Sequence, residues 1–159
     1  MIGIDTLSWA KLAYLFSTDK EKFVRTMLGL GDYFITHEVL AELRHHLPDY
    51  AELYEPIAIL PSLKMKTAGY LETGFDVADA SLLEYADLRK CLVITEDQQM
   101  LELGRASKQK TIQLADFIKY FYTRNFITHR EFYQIIKILR RLKNITIKKE
   151  KLLLRKLQE

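Results

Sequence analysis

The sequence predicts an α/β protein with three layers (α/β/α), in which helices cover both faces of a central, mostly parallel sheet. Over roughly the first 115 residues, short apolar runs alternate with amphipathic helix-like segments, the pattern of strand–helix–strand units. The run Leu92–Ile94 is apolar throughout and is followed at once by a helical pattern, as expected of a strand buried on both faces. The chain opens with a matching run, Met1–Ile4. A helical extension is predicted after the sheet-forming part.

Length and composition indicate an ordinary globular domain. The 159 residues are enough to bury a core, and the apolar fraction of 48% and charged fraction of 28% are typical of soluble proteins. A single cysteine, Cys91, excludes an internal disulfide and suits a reducing cytosol. No basic leader precedes Asp5, and no apolar run is as long as a membrane span. We therefore expect a cytoplasmic protein with no membrane segment.

The elements of the first 61 residues follow from apolar spacing and from residues that begin and end helices. Apolar residues recur at helical spacing around Trp9 and again after Thr18, which stands three residues before Glu21 as in a capping box. Gly29 and Gly31 are expected to end that second helix. The predicted order is a strand at Met1–Ile4, two helices, a strand at Asp32–Thr36, a helix capped by Thr36 and ended near Pro48, a helical turn over Tyr50–Tyr54 and an edge strand at Ile57–Leu60.

Capping residues and glycines also divide the second half of the chain. Asp76 is placed to cap a helix with Asp79 in its first turn, and Gly104 is expected to end the helix after the Leu92 strand. Thr128 and Glu131 have capping-box spacing and open a strongly periodic helix. The predicted order is a helix over Lys64–Leu71 ended by Gly74, the Asp76 helix, the Leu92 strand and its helix, a last strand at Thr111–Leu114, a helix capped by Asp116, the Thr128 helix and a short helix through Leu152 to Leu157.

Charge is distributed unevenly along the chain. Residues 137–159 hold nine Lys and Arg against two Glu, whereas residues 1–136 hold 15 Lys and Arg against 19 Asp and Glu. A basic end on a neutral to acidic body favours binding of a polyanion, and a solvated helix face is the equally weighted alternative. We predict a main domain over residues 1–120 and a basic helical extension over residues 121–159. The aromatic run 120–122 would stack on bases or, as its helical spacing favours, pack in the core.

Acidic residues follow the predicted strands or open the predicted helices. Asp5 and Asp97 follow two strands, Asp79 lies in a first helical turn, and Glu42, or Glu38 one turn earlier, lies on the helix after the second strand. In a doubly wound sheet the carboxyl ends of neighbouring strands meet at one edge, where ligands bind. Clustered carboxylates without cationic partners need a metal ion or protons to compensate their charge. Oxygen ligands favour Mg²⁺ or Mn²⁺, which are suited to phosphodiester hydrolysis.

Each acid also has a plain structural explanation. Asp79 would complement a helix dipole. Thr95 and Gln98 match a capping box, so that Thr95 and Asp97 would mark only the start of a helix. Asp5 is hardest to explain in this way, because an acid at the end of a buried strand gains little structurally. The metal-site hypothesis therefore depends on the set of acids and not on any one of them.

Four short segments, in their order and spacing, resemble the PIN domain family of metal-dependent ribonucleases over roughly the first 120 residues. No segment is specific alone, and their combination is fairly specific. The segments are Ile4–Thr6, Val39–Leu43, Asp79–Ala86 and Ile94–Asp97. The fold implied by the resemblance is the same three-layer α/β/α arrangement, and the region after Leu114 extends beyond a minimal PIN domain.

The resemblance also implies a catalytic site. The implied catalytic quartet is Asp5, Glu42, Asp79 and Asp97. Of these, Asp5, Asp79 and Asp97 would bind one or two Mg²⁺ or Mn²⁺ ions. The supporting hydroxyl residues, which would position carboxylates or water, are Thr6 and Thr95. The implied reaction is hydrolysis of RNA phosphodiester bonds by an activated water, leaving 5′-phosphate and 3′-hydroxyl ends.

Partners are implied by the same resemblance. The family includes VapC-like toxins of toxin–antitoxin pairs, which implies RNA as substrate and an antitoxin protein as partner. The family habit and the apolar C-terminal helices favour a homodimer. The competing hypothesis is a catalytically silent PIN-fold module that binds RNA or protein and uses its acids structurally. Cleavage that requires a divalent metal and is lost in Asp5→Asn would distinguish the enzyme from this module.

Overall fold

The central sheet is the frame on which every other element is placed. The computed structural model describes residues 1–155 of the chain. The strands in this part are β1 (Ile2–Ile4), β2 (Tyr33–Thr36), β3 (Ala58–Leu60), β4 (Leu92–Ile94) and β5 (Thr111–Ile112). Their order across the sheet is β3–β2–β1–β4–β5, and every neighbouring pair is parallel. Helices flank the sheet, so the predicted α/β class is confirmed.

The sheet changes its direction of growth at β1. The chain builds outward from β1 through β2 to β3, then returns to the other side of β1 to form β4 and β5. Ile4 pairs with Ile94 at the ends of β1 and β4, and the Asp5 N–H donates to the Ile94 carbonyl at 3.0 Å. Asp5 and Thr95, the next residues of each strand, therefore leave the sheet side by side. Such a switch point is where open α/β sheets form ligand sites.

Helices make up most of the remaining chain. Those within residues 1–155 are α1 (Thr6–Phe16), α2 (Glu21–Leu30), α3 (His37–His46), α4 (Ala51–Tyr54), α5 (Thr67–Glu72), α6 (Val77–Leu88), α7 (Gln98–Ser107), α8 (Leu114–Thr123), α9 (His129–Arg141) and α10 (Ile147–Arg155). A short 3₁₀ turn, Pro48–Tyr50, precedes α4. None of these helices is long and apolar enough to cross a membrane. Leu157, predicted to continue the last helix, lies outside the described residues.

Gly3 allows α6 to lie directly on the middle of the sheet. A Cβ atom at Gly3 would come within 2.9 Å of both a Leu82 methyl group and the Phe34 ring. Leu82 and Phe34 are themselves fully buried. The absence of a side chain at Gly3 lets α6 approach β1 closely. The amino-terminal turn of α6 carries Asp79.

Three predicted helix starts are confirmed. In each case a side-chain oxygen accepts a hydrogen bond from the backbone N–H three residues further on, which satisfies an otherwise unpaired donor. The last of the three is a complete capping box, since Glu131 also bonds back to the cap residue. The confirmed caps are Thr36, Asp76 and Thr128.

The predicted cap of α2 is wrong, and of the two glycines expected to end this helix only Gly31 does so. The Thr18 hydroxyl donates to the Leu15 carbonyl at 2.6 Å and so completes the turn after α1 instead of capping α2. Lys20 occupies the cap position of α2 without a side-chain bond. The helix also continues through Gly29, where an added Cβ atom would meet no atom within 4 Å, and it ends at Gly31.

Two further boundaries differ in the second half. Gly104 does not end α7 but lies buried within it. A Cβ atom at this position would fall 1.9 Å from the Thr111 hydroxyl of β5, so the glycine leaves room for the strand. Gln113, not Asp116, stands at the cap of α8. The Asp116 carboxylate instead accepts two 2.7 Å hydrogen bonds from the Lys149 ammonium, which ties α8 to α10.

A buried carboxylate holds the segment before α5. Glu84 is fully buried and accepts hydrogen bonds from the N–H groups of Lys64 (2.9 Å) and Lys66 (2.6 Å) and from the Thr67 hydroxyl (2.9 Å). Lys64 has a left-handed φ of 56°. Because these groups bond to Glu84, helix α5 begins at Thr67 and not at Lys64 as predicted.

The C-terminal helices pack on the body of the domain. Helix α9 contacts α1 and α8, and its buried side chains join the main hydrophobic core. The Lys20 ammonium donates to the Gln134 side chain at 2.6 Å across the same interface. The predicted division at residue 120 lies within α8.

The three aromatic residues 120–122 have different surroundings. Phe121 is buried, and the Tyr122 ring stacks on Phe132 at a centroid distance of 4.9 Å, as expected for core packing. Tyr120 is 49% exposed, and the Arg124 guanidinium lies 5.2 Å from its ring centroid.

Candidate functional site

All four carboxylates predicted for the site line a single pocket of about 510 Å³ beyond the ends of β1 and β4. A fifth acid also lines the pocket. Within residues 1–155 its lining includes no Lys or Arg. The acids that line it are Asp5, Glu42, Asp76, Asp79 and Asp97.

Asp5 is the most buried of these acids, at 2% exposure. Its Oδ1 accepts a hydrogen bond from the Ser8 N–H at 2.7 Å, which caps α1. Its Oδ2 accepts from the Thr95 hydroxyl at 2.5 Å and from the Glu96 N–H at 3.0 Å. Burial raises the pKa of Asp5, and the hydrogen bonds from Ser8, Thr95 and Glu96 oppose that shift. The carboxylate is thus fixed in position by three hydrogen bonds, one from α1 and two from the residues that follow β4.

Thr95 connects two of the acids. Its fully buried hydroxyl donates to Asp5 and accepts a hydrogen bond from the Asp97 N–H at 2.9 Å. Asp97, not Thr95, caps α7, since its Oδ1 accepts from the Met100 N–H at 2.8 Å. The alternative of a capping box between Thr95 and Gln98 is therefore wrong. One carboxylate oxygen of Asp97 is used by the cap, and the residue still lines the pocket.

Glu42, and not Glu38, is the acid that α3 contributes. Glu42 is half-buried and its Oε2 accepts a hydrogen bond from the Thr6 hydroxyl. Thr6 itself lines the pocket at the start of α1. Glu38 does not line it, and its Oε2 atom is buried without a hydrogen-bond partner among residues 1–155. The two predicted supporting residues, Thr6 and Thr95, thus each hold a carboxylate of the pocket.

Asp79 shows that the acids influence one another. It is half-buried in the first turn of α6, and its pKa is raised to about 7. Burial is the largest cause, followed by the negative charges of the four other pocket acids. The charges of this cluster are therefore poorly compensated by the protein at neutral pH.

Glu96 lies between the pocket and the C-terminal helices. Its carboxylate accepts a hydrogen bond from the Leu114 N–H at 2.9 Å, which starts α8 and limits β5 to Thr111–Ile112 instead of the predicted Thr111–Leu114. Burial is the main reason that its pKa rises to about 7, and the charge of Asp5 adds to the effect. Glu96 therefore positions both Asp5, through its N–H, and α8, through its side chain.

Two polar residues of the pocket were not predicted as part of the site. Asp76 was interpreted only as a helix cap, although it stands three residues before Asp79 and so shares its end of α6. His46 lines the pocket four residues after Glu42, on the same face of α3. Helical spacing from a predicted site residue was the signal available for both.

The chemistry of the lining fits a hard divalent cation. The donors are carboxylate oxygens, which Mg²⁺ and Mn²⁺ prefer, and a bound cation would compensate the negative charge that raises the pKa of Asp79. Within residues 1–155, no three His, Cys, Asp or Glu side chains stand close enough together to enclose an ion as they are now arranged.

Comparisons with known proteins found no protein family that matches the chain and no curated protein with a significant match.

Proposed function

We propose that this protein is a divalent-metal-dependent ribonuclease that hydrolyses RNA phosphodiester bonds at the acidic pocket. The observation that carries the proposal is the convergence of five carboxylates, without a lining Lys or Arg in the described chain, at the switch point of a parallel sheet. Such a pocket needs a cation, and a carboxylate-held cation is suited to phosphoryl chemistry. The choice of RNA as substrate comes from the resemblance to the PIN domain family.

Each residue has a defined role in the proposal. Asp5, Asp79 and Asp97 would hold Mg²⁺ or Mn²⁺. When bound, the cation lowers the pKa of water and neutralises charge on the phosphoryl oxygens. Glu42, held by the Thr6 hydroxyl, orients the attacking water and accepts its proton.

Metal binding and cleavage are tested together. Mn²⁺ is titrated into wild type and Asp5→Asn by calorimetry, and the same samples are then assayed on single-stranded RNA and single-stranded DNA. We expect Mn²⁺ binding and RNA cleavage in the wild type only. Asp97→Asn serves as a second variant if Asp5→Asn fails to fold by circular dichroism. Equal RNA decay in wild type and both variants would reject the proposed nuclease activity. Mn²⁺ binding with cleavage of DNA alone would reject RNA as the substrate.

The partners implied by the resemblance are part of the same proposal. A toxin would slow growth when expressed, and Asp97→Asn would relieve the effect. A homodimer would have twice the chain mass of 18.7 kDa in light scattering. A wild type without effect on growth would reject the toxin, and a monomeric mass at working concentrations would reject the homodimer.

A further inference from the structure

A second concave surface lies between α9 and α10 and shares no lining residue with the acidic pocket. It is a groove of about 760 Å³, and its lining is strongly basic. Its cationic residues are Lys137, Arg140, Arg141, Lys143, Lys151 and Arg155. The acid that lines it is Glu150.

The acid of the groove is already used within the protein. Glu150 is 8% exposed and forms salt bridges to Lys137 and, at 3.7 Å, to Arg140. These contacts join α9 to α10 and fix the shape of the groove. By contrast, Arg141 and Lys151 are exposed and form no salt bridge within residues 1–155. The groove therefore presents positive charge that the described chain leaves uncompensated.

We propose that this basic groove binds the phosphodiester backbone of single-stranded RNA and holds the substrate beside the acidic pocket. The inference rests on the proposed function, because it assigns the groove to the same substrate. Several cations along a concave surface match a chain of phosphates. Tyr133, 44% exposed on the groove wall with the Lys137 ammonium 5.3 Å from its ring centroid, adds an aromatic ring against which a base can pack.

The groove is connected to the acidic pocket by a short chain of contacts. The Lys149 ammonium of α10 donates to Asp116 of α8 at 2.7 Å, and the Leu114 N–H that begins α8 donates to the Glu96 carboxylate at 2.9 Å. Glu96 in turn donates its N–H to Asp5. The helices that form the groove are thus tied by hydrogen bonds to the sheet edge that carries the acidic pocket.

The shape of the surface favours RNA over a membrane. The cations line a recess between two helices, whereas a flat anionic bilayer would contact mainly residues that protrude. Ile147 and Leu152, both more than half exposed, are the exposed large apolar residues of α10 and would be the first to enter a bilayer. An anionic membrane is accordingly treated as a competing outcome of the test.

The test compares two variants of equal net charge. The groove variant is Arg141→Gln/Lys143→Gln/Lys151→Gln, and the matched control is Lys22→Gln/Arg105→Gln/Lys110→Gln, whose residues are exposed and do not line the groove. Binding of a labelled oligouridylate of about 12 nucleotides is measured by fluorescence anisotropy in EDTA across a range of salt concentrations. EDTA removes the metal, so binding is read independently of cleavage.

We expect the groove variant to bind about tenfold or more weakly in 0.1 M salt. We also expect its plot of log affinity against log salt concentration to become shallower by about 2, because about 0.7 is lost for each phosphate contact to a single strand. The control variant should bind as the wild type does. Unchanged binding in the groove variant, or equal weakening in both variants, would overturn the proposal. If the groove variant lost binding to phosphatidylserine vesicles but kept its RNA binding, the proposal would also be overturned, and an anionic membrane would be the ligand of the groove.

Cleavage assays separate this inference from the proposed function. With Mn²⁺ present, the groove variant should show a raised KM on long RNA and an unchanged kcat. Failure of the wild type to cleave RNA, with groove-dependent binding in EDTA, would reject the nuclease alone. Normal KM and normal binding in the groove variant, with an active wild type, would reject the groove alone.

Discussion

Asp5 and Thr95 follow neighbouring parallel strands, and the Thr95 hydroxyl donates a 2.5 Å hydrogen bond to Asp5 Oδ2. The same oxygen of Thr95 accepts the Asp97 N–H. A neutral hydroxyl thus connects the Asp5 carboxylate to the backbone of Asp97 without contributing a charge. It holds the acids in place and leaves their negative charge available to a cation.

Thr95→Val tests this arrangement. Valine has a similar shape but leaves the buried Asp5 oxygen and the Asp97 N–H each with one hydrogen bond fewer. We expect a loss of about 1–3 kcal/mol in the free energy of unfolding and Mn²⁺ affinity about 10–100-fold weaker, measured by urea unfolding and calorimetry. Thr95→Ser keeps the hydroxyl and should retain most of the affinity. Wild-type affinity in Thr95→Val would show that the bond does not position the site.

Glu42 and Glu38 form a matched pair on α3. Glu42 lines the acidic pocket and Glu38 does not. We expect Glu42→Gln to lower RNA cleavage by about 10²-fold or more, as for loss of a general base, because an amide accepts no proton. Glu38→Gln should leave cleavage unchanged. Initial rates of cleavage of a labelled RNA in Mn²⁺ are measured for both variants. Equal rates would show that Glu42 does not act as the general base.

The stability of the metal-free protein should fall as pH rises towards neutrality. Folding raises the pKa of Asp79 and of Glu96 to about 7, so the folded state binds these protons more tightly than the unfolded chain. The resulting stability is complete below the ordinary pKa of a carboxyl group and is lost as pH rises through about 7. Allowing for solvent screening of the half-buried Asp79, we expect a loss of about 2 kcal/mol, or about 4–8 °C in Tm, between pH 5.5 and 7.5.

Thermal unfolding in EDTA at the two pH values measures this effect. Asp79→Asn removes one of the titrating groups and should show a smaller difference in Tm. Saturating Mn²⁺ should raise the Tm more at pH 7.5 than at pH 5.5, because protons and metal compete for the same oxygens. A Tm in EDTA that rises with pH would contradict the proposed cause.

Gly104→Ala should destabilise the protein. The new methyl group would lie 1.9 Å from the Thr111 hydroxyl oxygen and 2.9 Å from its Cβ, so α7 or β5 must move, at a cost of about 1–3 kcal/mol. Gly29→Ala is the matched control, since it also lies in a helix but would meet no atom within 4 Å. It should stabilise by up to about 1 kcal/mol. Urea unfolding compares the two, and equal stabilities would contradict the close packing of α7 on β5.

Local signals predicted much of the fold and the membership of the site. Apolar runs located the strands, and side-chain caps located the starts of α3, α6 and α9, because both depend on residues close in sequence. The failures at Thr18, Gly104 and Asp116 share a cause. In each case another contact decided the role of the residue. The Thr18 hydroxyl bonds to Leu15, Gly104 makes room for Thr111, and the Asp116 carboxylate bonds to Lys149.

The sequence by itself determined the α/β class, the strand segments and the identity of the acids, since these follow from periodicity and from residue type. Only the tertiary structure decided which acids share a pocket. Whether Glu38 or Glu42 lies there depends on how α3 rotates against α6, and the link from Asp5 through Thr95 to Asp97 depends on β1 pairing with β4 across about 90 residues of chain. The groove between α9 and α10 likewise depends on tertiary contacts, among them the salt bridges by which Glu150 joins the two helices. Such contacts join residues distant in sequence, so no local pattern encodes them.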